Sequence, residues 1–182
     1  MPDLRTAAVG TAWFKAVVLA LLALNTAVFV TYGTSSAALD SLAWLTLLFS
    51  FELETGRREW FRGRWSTIAL HGARLLAGAA LAAAAVGYVR GKEWLDAINV
   101  GLWIGVVAML EFEVRRPDIA MRHRGGLVAA TIVLYAGLAG LVLAWLLRGE
   151  WFDAYDAALW LVAFATLEMD LLGRFRNGRP AT

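Results

Sequence analysis

The sequence predicts an all-α integral membrane protein: six transmembrane helices arranged as three tandem helical hairpins with a pseudo-three-fold repeat. Composition is the first observation. Of 182 residues, 60% are hydrophobic and 18% charged, where soluble domains average about 45–50% and about 25%. The second is that the apolar residues fall in six blocks, each near the ~20 residues that cross ~30 Å of hydrocarbon at helical rise. The third is a signature carried by alternate blocks. Together they exclude a disordered chain and a soluble enzyme, and they predict a single membrane domain over 1–182.

Block one covers residues 13–32; no A-x-A-like cleavage site and soluble body follow it, so it reads as a span and not a signal peptide. Block two, 37–54, ends in Phe51-Glu52-Leu53-Glu54. Block three, 67–88, holds a small-residue stripe of Ala79, Ala83 and Gly87, suited to close helix contact. Block four, 94–114, ends in Glu111-Phe112-Glu113. Block five, 126–147, is the least interrupted, and block six, 152–172, ends in Glu168-Met169-Asp170.

Lys and Arg set the orientation, because cytoplasmic connections retain them. The N-terminal part, the 55–66 and 115–125 connections and the C-terminal part hold Arg5, Lys15, Arg57, Arg58, Arg62, Arg64, Arg115, Arg116, Arg122, Arg124, Arg174, Arg176 and Arg179. The opposite connections hold only Arg90, Lys92 and Arg148. Both termini are expected in the cytoplasm, with the chain in the inner (cell) membrane. The outer side carries Asp40, Glu93, Asp96, Glu150, Asp153 and Asp156, a field that favours cations. Trp94 and Trp151 at one interface, and Trp60 and Trp65 at the other, read as belt residues.

Aligned without gaps, segments 40–54, 99–113 and 156–170 match in four columns. These are Asp40/Asn99/Asp156, Trp44/Trp103/Trp160, Glu52/Glu111/Glu168 and Glu54/Glu113/Asp170, at steps of 59 (40 to 99) and 57 (99 to 156). The repeat units are therefore about 13–57, 67–116 and 126–174. The odd blocks share less: Asn25, the His71/Arg74 pair and Tyr135 have no polar counterparts in the other copies.

The two acidic columns cannot serve one site on one face, since residues two apart on a helix point about 200° away from each other. Glu54, Glu113 and Asp170 each have arginine at +3 or +4, the spacing of helical ion pairs. Glu52, Glu111 and Glu168 lie about 3 Å deeper by helical rise, mostly behind apolar residues, and only Glu111 has an arginine at +4. A carboxylate at such depth is costly unless paired, protonated or metal-bound. Three converging glutamates would coordinate a hard cation or share protons; which metal, if any, stays open. Asp40, Asn99 and Asp156 would form a mouth about 18 Å away along the helix, although Asp40 and Asp156 also read as helix N-caps. Trp44, Trp103 and Trp160 read as packing aromatics.

Cysteine is absent and only His71 and His123 are present, which excludes thiolate sites and haem or His-rich metal centres. No phosphate loop, HExxH or nucleophile motif occurs, so no catalysis and no cofactor are expected. Basic connections beside spans suit anionic lipid better than nucleic acid. The expected function is a small ion channel or transporter for cations or protons, using Glu52, Glu111 and Glu168 as its site. Its partners would be the bilayer, the ion, and further copies of the chain. The alternative is a non-catalytic membrane subunit that packs against and stabilises a larger membrane complex.

Overall fold

The computed structural model describes residues 4–56 and 64–176, with side chains described at 13–53, 66–113 and 115–166. Every described element is a helix: α1 (Leu4–Tyr32), α2 (Ser35–Gly56), α3 (Arg64–Gly91), α4 (Trp94–Arg115), α5 (Pro117–Arg122), α6 (Arg124–Arg148) and α7 (Trp151–Arg176). Five of them, α1, α2, α3, α4 and α6, contain stretches long and apolar enough to cross a membrane. α7, at the sixth expected span, has 26 residues but carries Asp153, Asp156, Glu168 and Asp170. The 115–125 connection contains α5, which begins on Pro117. A proline there loses no helical hydrogen bond, because the first N–H groups of a helix have no internal partner.

These helices keep their polar groups to themselves, as hydrocarbon requires. Hydroxyls that would otherwise stand unpaired donate back along their own helix. Thr31 Oγ1 donates to Ala27 O at 2.8 Å, Ser41 Oγ to Ala37 O at 2.8 Å and Thr46 Oγ1 to Leu42 O at 2.7 Å. Many large apolar side chains stay outside: Leu75 is 76% exposed and Leu76 74%. Water would penalise such a surface, whereas lipid solvates it.

Two connections close with the same geometry. Glu93 N–H donates to Tyr88 O and Lys92 N–H to Val89 O; Glu150 N–H donates to Trp145 O and Gly149 N–H to Leu146 O. These are Schellman motifs, with the residue after the helix in the left-handed region: Lys92 at φ 61° and Gly149 at φ 79°. Cβ crowding makes that conformation costly for lysine and free for glycine. Lys92→Gly is therefore expected to stabilise the fold by roughly 0.5–1 kcal/mol, read as a higher denaturation midpoint in bicelles. The following helix starts at once, its first bonds running from Ala97 N–H to Glu93 O and from Ala154 N–H to Glu150 O. α2 starts likewise, with Ala38 N–H donating to Thr34 O.

The chain forms two compact units, one of Met1–Leu24 with Ala139–Thr182 and one of Asn25–Leu138. In the second, α2 packs most extensively on α3, and α4 lies against α3 as well. Ala84, Tyr88 and Val100 form a buried cluster flanked by Ala85 and Ala97. Ala79 and Ala83 are exposed, so the expected small-residue stripe is not the contact face. The buried face of α3 is Ala77, Leu81, Ala84 and Tyr88. Only Gly87 of the stripe makes a close approach: a Cβ there would stand 2.1 Å from Ser36 Oγ of α2. In the first unit, the rings of Trp160 and Phe164 on α7 lie 6.3 Å apart, tilted by 45°.

Burial recurs at the steps seen in the sequence. Leu22, Leu81 and Leu138 are buried, and so are Trp44, Trp103 and Trp160. α2, α4 and α7 begin at Ser35, Trp94 and Trp151, again 59 and then 57 residues apart.

Candidate functional site

The acidic ends of the even helices come first, because the sequence points there. Glu52 is half-buried near the end of α2, while Glu111 and Glu113 are exposed on α4. Arg115 Nε donates to Glu111 Oε1 one turn along the same helix. The pair is open to solvent or headgroups, where such a contact contributes only ~0–1 kcal/mol. Glu111→Gln is thus expected to change unfolding stability by less than about 0.5 kcal/mol. The side chains of Glu54, Glu168 and Asp170 lie outside the described residues. Among the described residues no three His, Asp or Glu side chains are grouped closely enough to hold a metal ion. His71, on α3, has Nδ1 2.8 Å from Thr67 O, a contact within its own helix.

The opposite end of the α2, α3 and α4 helices is organised differently. Asp40 and Asn99 are not N-caps: α2 begins at Ser35 and α4 at Trp94, so both stand in the second turn, past the reach of a capping side chain. The same holds for Asp156, since α7 begins at Trp151. Asp40 instead accepts a hydrogen bond across helices, from Tyr88 Oη of α3 to its Oδ2 at 3.3 Å. Tyr88 is 3% exposed, and its ring belongs to the cluster with Val100 of α4. Its hydroxyl therefore sits where three helices meet. Glu93 and Asp96, at the start of α4, add to the negative field that Asp40 produces there.

One turn further along, Trp44 of α2 and Trp103 of α4 face each other, ring centroids 6.3 Å apart and tilted by 59°. Both are buried. Asn99 Oδ1 is shielded from solvent and receives no hydrogen bond from any described residue. Further buried polar side chains are Asn25 and Thr26 of α1 and Ser50 of α2.

Sequence reasoning identified Asp40, Asn99 and the tryptophans but missed Tyr88. A signal was present: stepping back from Trp145 by 57 gives Tyr88, and by a further 59 gives Phe29, an aromatic position in each odd helix. Comparison with known protein families, with curated proteins and with solved structures found no match.

Proposed function

We propose that the chain is a six-span inner-membrane protein of three tandem hairpins, with both termini cytoplasmic, that conducts or transports cations or protons. The observation that carries this reading is the set of polar groups kept inside apolar helices. Asp40 is held by a buried Tyr88, Asn25, Thr26 and Ser50 are buried, and Glu52 is half-buried. The carboxylates among them are the costly members, and an ionisable group inside a membrane helix points to function, whereas neutral Asn, Thr and Ser also serve as interhelical hydrogen-bond partners. Glu52, Glu111 and Glu168 would handle the ion at the cytoplasmic end, with Asp40, Asn99 and Asp156 at the outer mouth. Glu54, Glu113 and Asp170 would hold the flanking arginines.

The hairpin arrangement is supported by helix register as well as by the matched columns. Gly87 of α3 faces Ser36 of α2. Moving that pair forward by the repeat steps of 59 and 57 gives positions 95 and 144. Two helical turns inward from these, seven residues along each chain, are Leu102 and Gly137, where a Cβ on Gly137 would stand 3.1 Å from Leu102 Cδ1. Gly105 and Leu134 continue the same antiparallel register.

Flux from purified protein in liposomes tests the function, with a pH dye and a panel of mono- and divalent cations. The expected result is flux that falls at least tenfold in the Glu52→Gln, Glu111→Gln, Glu168→Gln triple variant while the protein stays folded. A second reading is a non-transporting subunit of a larger membrane complex. It is favoured by the exposed Glu111–Arg115 pair, which suits a charged belt better than an ion site. Tight liposomes under every gradient, with well-folded protein, would decide for the subunit.

A further inference from the structure

We propose that the junction of α2, α3 and α4 binds a monovalent alkali cation through oxygens of Asp40, Tyr88 and Asn99, above the Trp44–Trp103 pair. The site deepens the transport reading by giving its outer mouth a ligand set, and it takes its place on a pathway from that reading alone.

Helix geometry brings the ligands to one space. Asp40 and Trp44 are four residues apart on α2, and Asn99 and Trp103 four apart on α4, so each pair shares a helix face. The buried indoles meet at 6.3 Å, which turns those two faces toward each other. One turn toward the helix starts, those same faces carry the much smaller Asp40 and Asn99. Tyr88 enters the same space from α3, its ring against Val100 and its hydroxyl 3.3 Å from Asp40 Oδ2. That separation exceeds the 2.7–2.8 Å typical of O–H···O bonds.

The chemistry selects the class of ion. A buried carbonyl such as Asn99 Oδ1, without a donor among the described residues, carries a desolvation penalty, and a cation removes it. All three ligands are oxygen, which disfavours soft metals. One carboxylate with two neutral oxygens matches a single positive charge; calcium sites draw on several carboxylates and carbonyls. Glu93 and Asp96 supply further negative field at the Tyr88 hydroxyl.

The test uses the full chain in zwitterionic bicelles, titrated with NaCl or KCl against choline chloride at constant ionic strength. Tryptophan emission is expected to change saturably. The thermal midpoint is expected to rise by about 5–10 °C near 100 times the dissociation constant. Asp40→Asn should abolish both responses, and Asn99→Leu should weaken binding at least tenfold. A response that is absent, equal in choline, or of wild-type size in Asp40→Asn overturns the site. If Asp40→Asn does not fold, a wild-type response in both Tyr88→Phe and Asn99→Leu overturns it instead. Flux separates this site from the transport reading. Asp40-dependent binding in protein that leaves liposomes tight keeps the site and rejects transport. Flux without any saturable response rejects the site and keeps transport.

Discussion

Replacing Trp103 by alanine is expected to lower the stability of the protein by about 3–5 kcal/mol, the range for deleting a buried tryptophan or phenylalanine. Trp103 is 3% exposed and its ring meets Trp44 across α2 and α4. Deletion leaves an indole-sized void, and the rigid helices on either side collapse into it only in part. Trp44→Ala should cost a similar amount, and the double variant less than the two combined. The aromatic contact itself accounts for roughly 0.5–1.5 kcal/mol of that coupling. Reversible unfolding in mixed micelles, followed by the emission of the remaining tryptophans, measures all three. A Trp103→Ala protein as stable as the parent would mean that the α2–α4 approach is not part of the native fold.

The second large effect concerns leucines. Leu22→Ala, Leu81→Ala and Leu138→Ala should each cost about 2–3 kcal/mol, whereas Leu75→Ala and Leu76→Ala should cost less than about 0.5 kcal/mol. Hydropathy alone assigns all five the same value. They differ because Leu22, Leu81 and Leu138 are buried and Leu75 and Leu76 exposed. In a bilayer the distinction is sharper than in water. Lipid tails are as apolar as leucine, so an exposed side chain gains little from burial, and the buried one loses dispersion contacts and leaves a cavity. The three buried leucines stand 59 and 57 residues apart, so near-equal losses would also support the tandem arrangement. Unequal losses, with one position silent, would count against it.

Much of this protein was legible before any coordinates. The apolar blocks at 13–32 and 94–114 lie within α1 and α4, because span length depends on bilayer thickness and helical rise, both properties of single segments. The start of each even helix was visible to within a few residues for the same reason. What single segments cannot show is which face of a helix turns inward. The α3 stripe of Ala79, Ala83 and Gly87 has the spacing of a contact face, yet Ala79 and Ala83 are exposed and the neighbouring Ala77–Leu81–Ala84–Tyr88 face is buried. A helix that is apolar all round has little amphipathic signal to give its orientation away. Asp40 is not the cap its residue type suggests, because α2 starts at Ser35, five residues before it.

The sequence by itself determined that this is an all-helical chain with membrane-length apolar segments, a recurring Asp/Asn–Trp–Glu pattern, and no thiolate or histidine-rich chemistry. Those properties follow from composition, period and spacing, which are local. Only the tertiary structure decided that Tyr88 donates to Asp40, that Trp44 meets Trp103, and that Glu111 stays on the surface with Arg115. The first two join residues at least 48 positions apart on different helices. Such pairings depend on how helices rotate and register against one another. That rotation is set by summed side-chain contacts along whole faces, which no single segment of the sequence records.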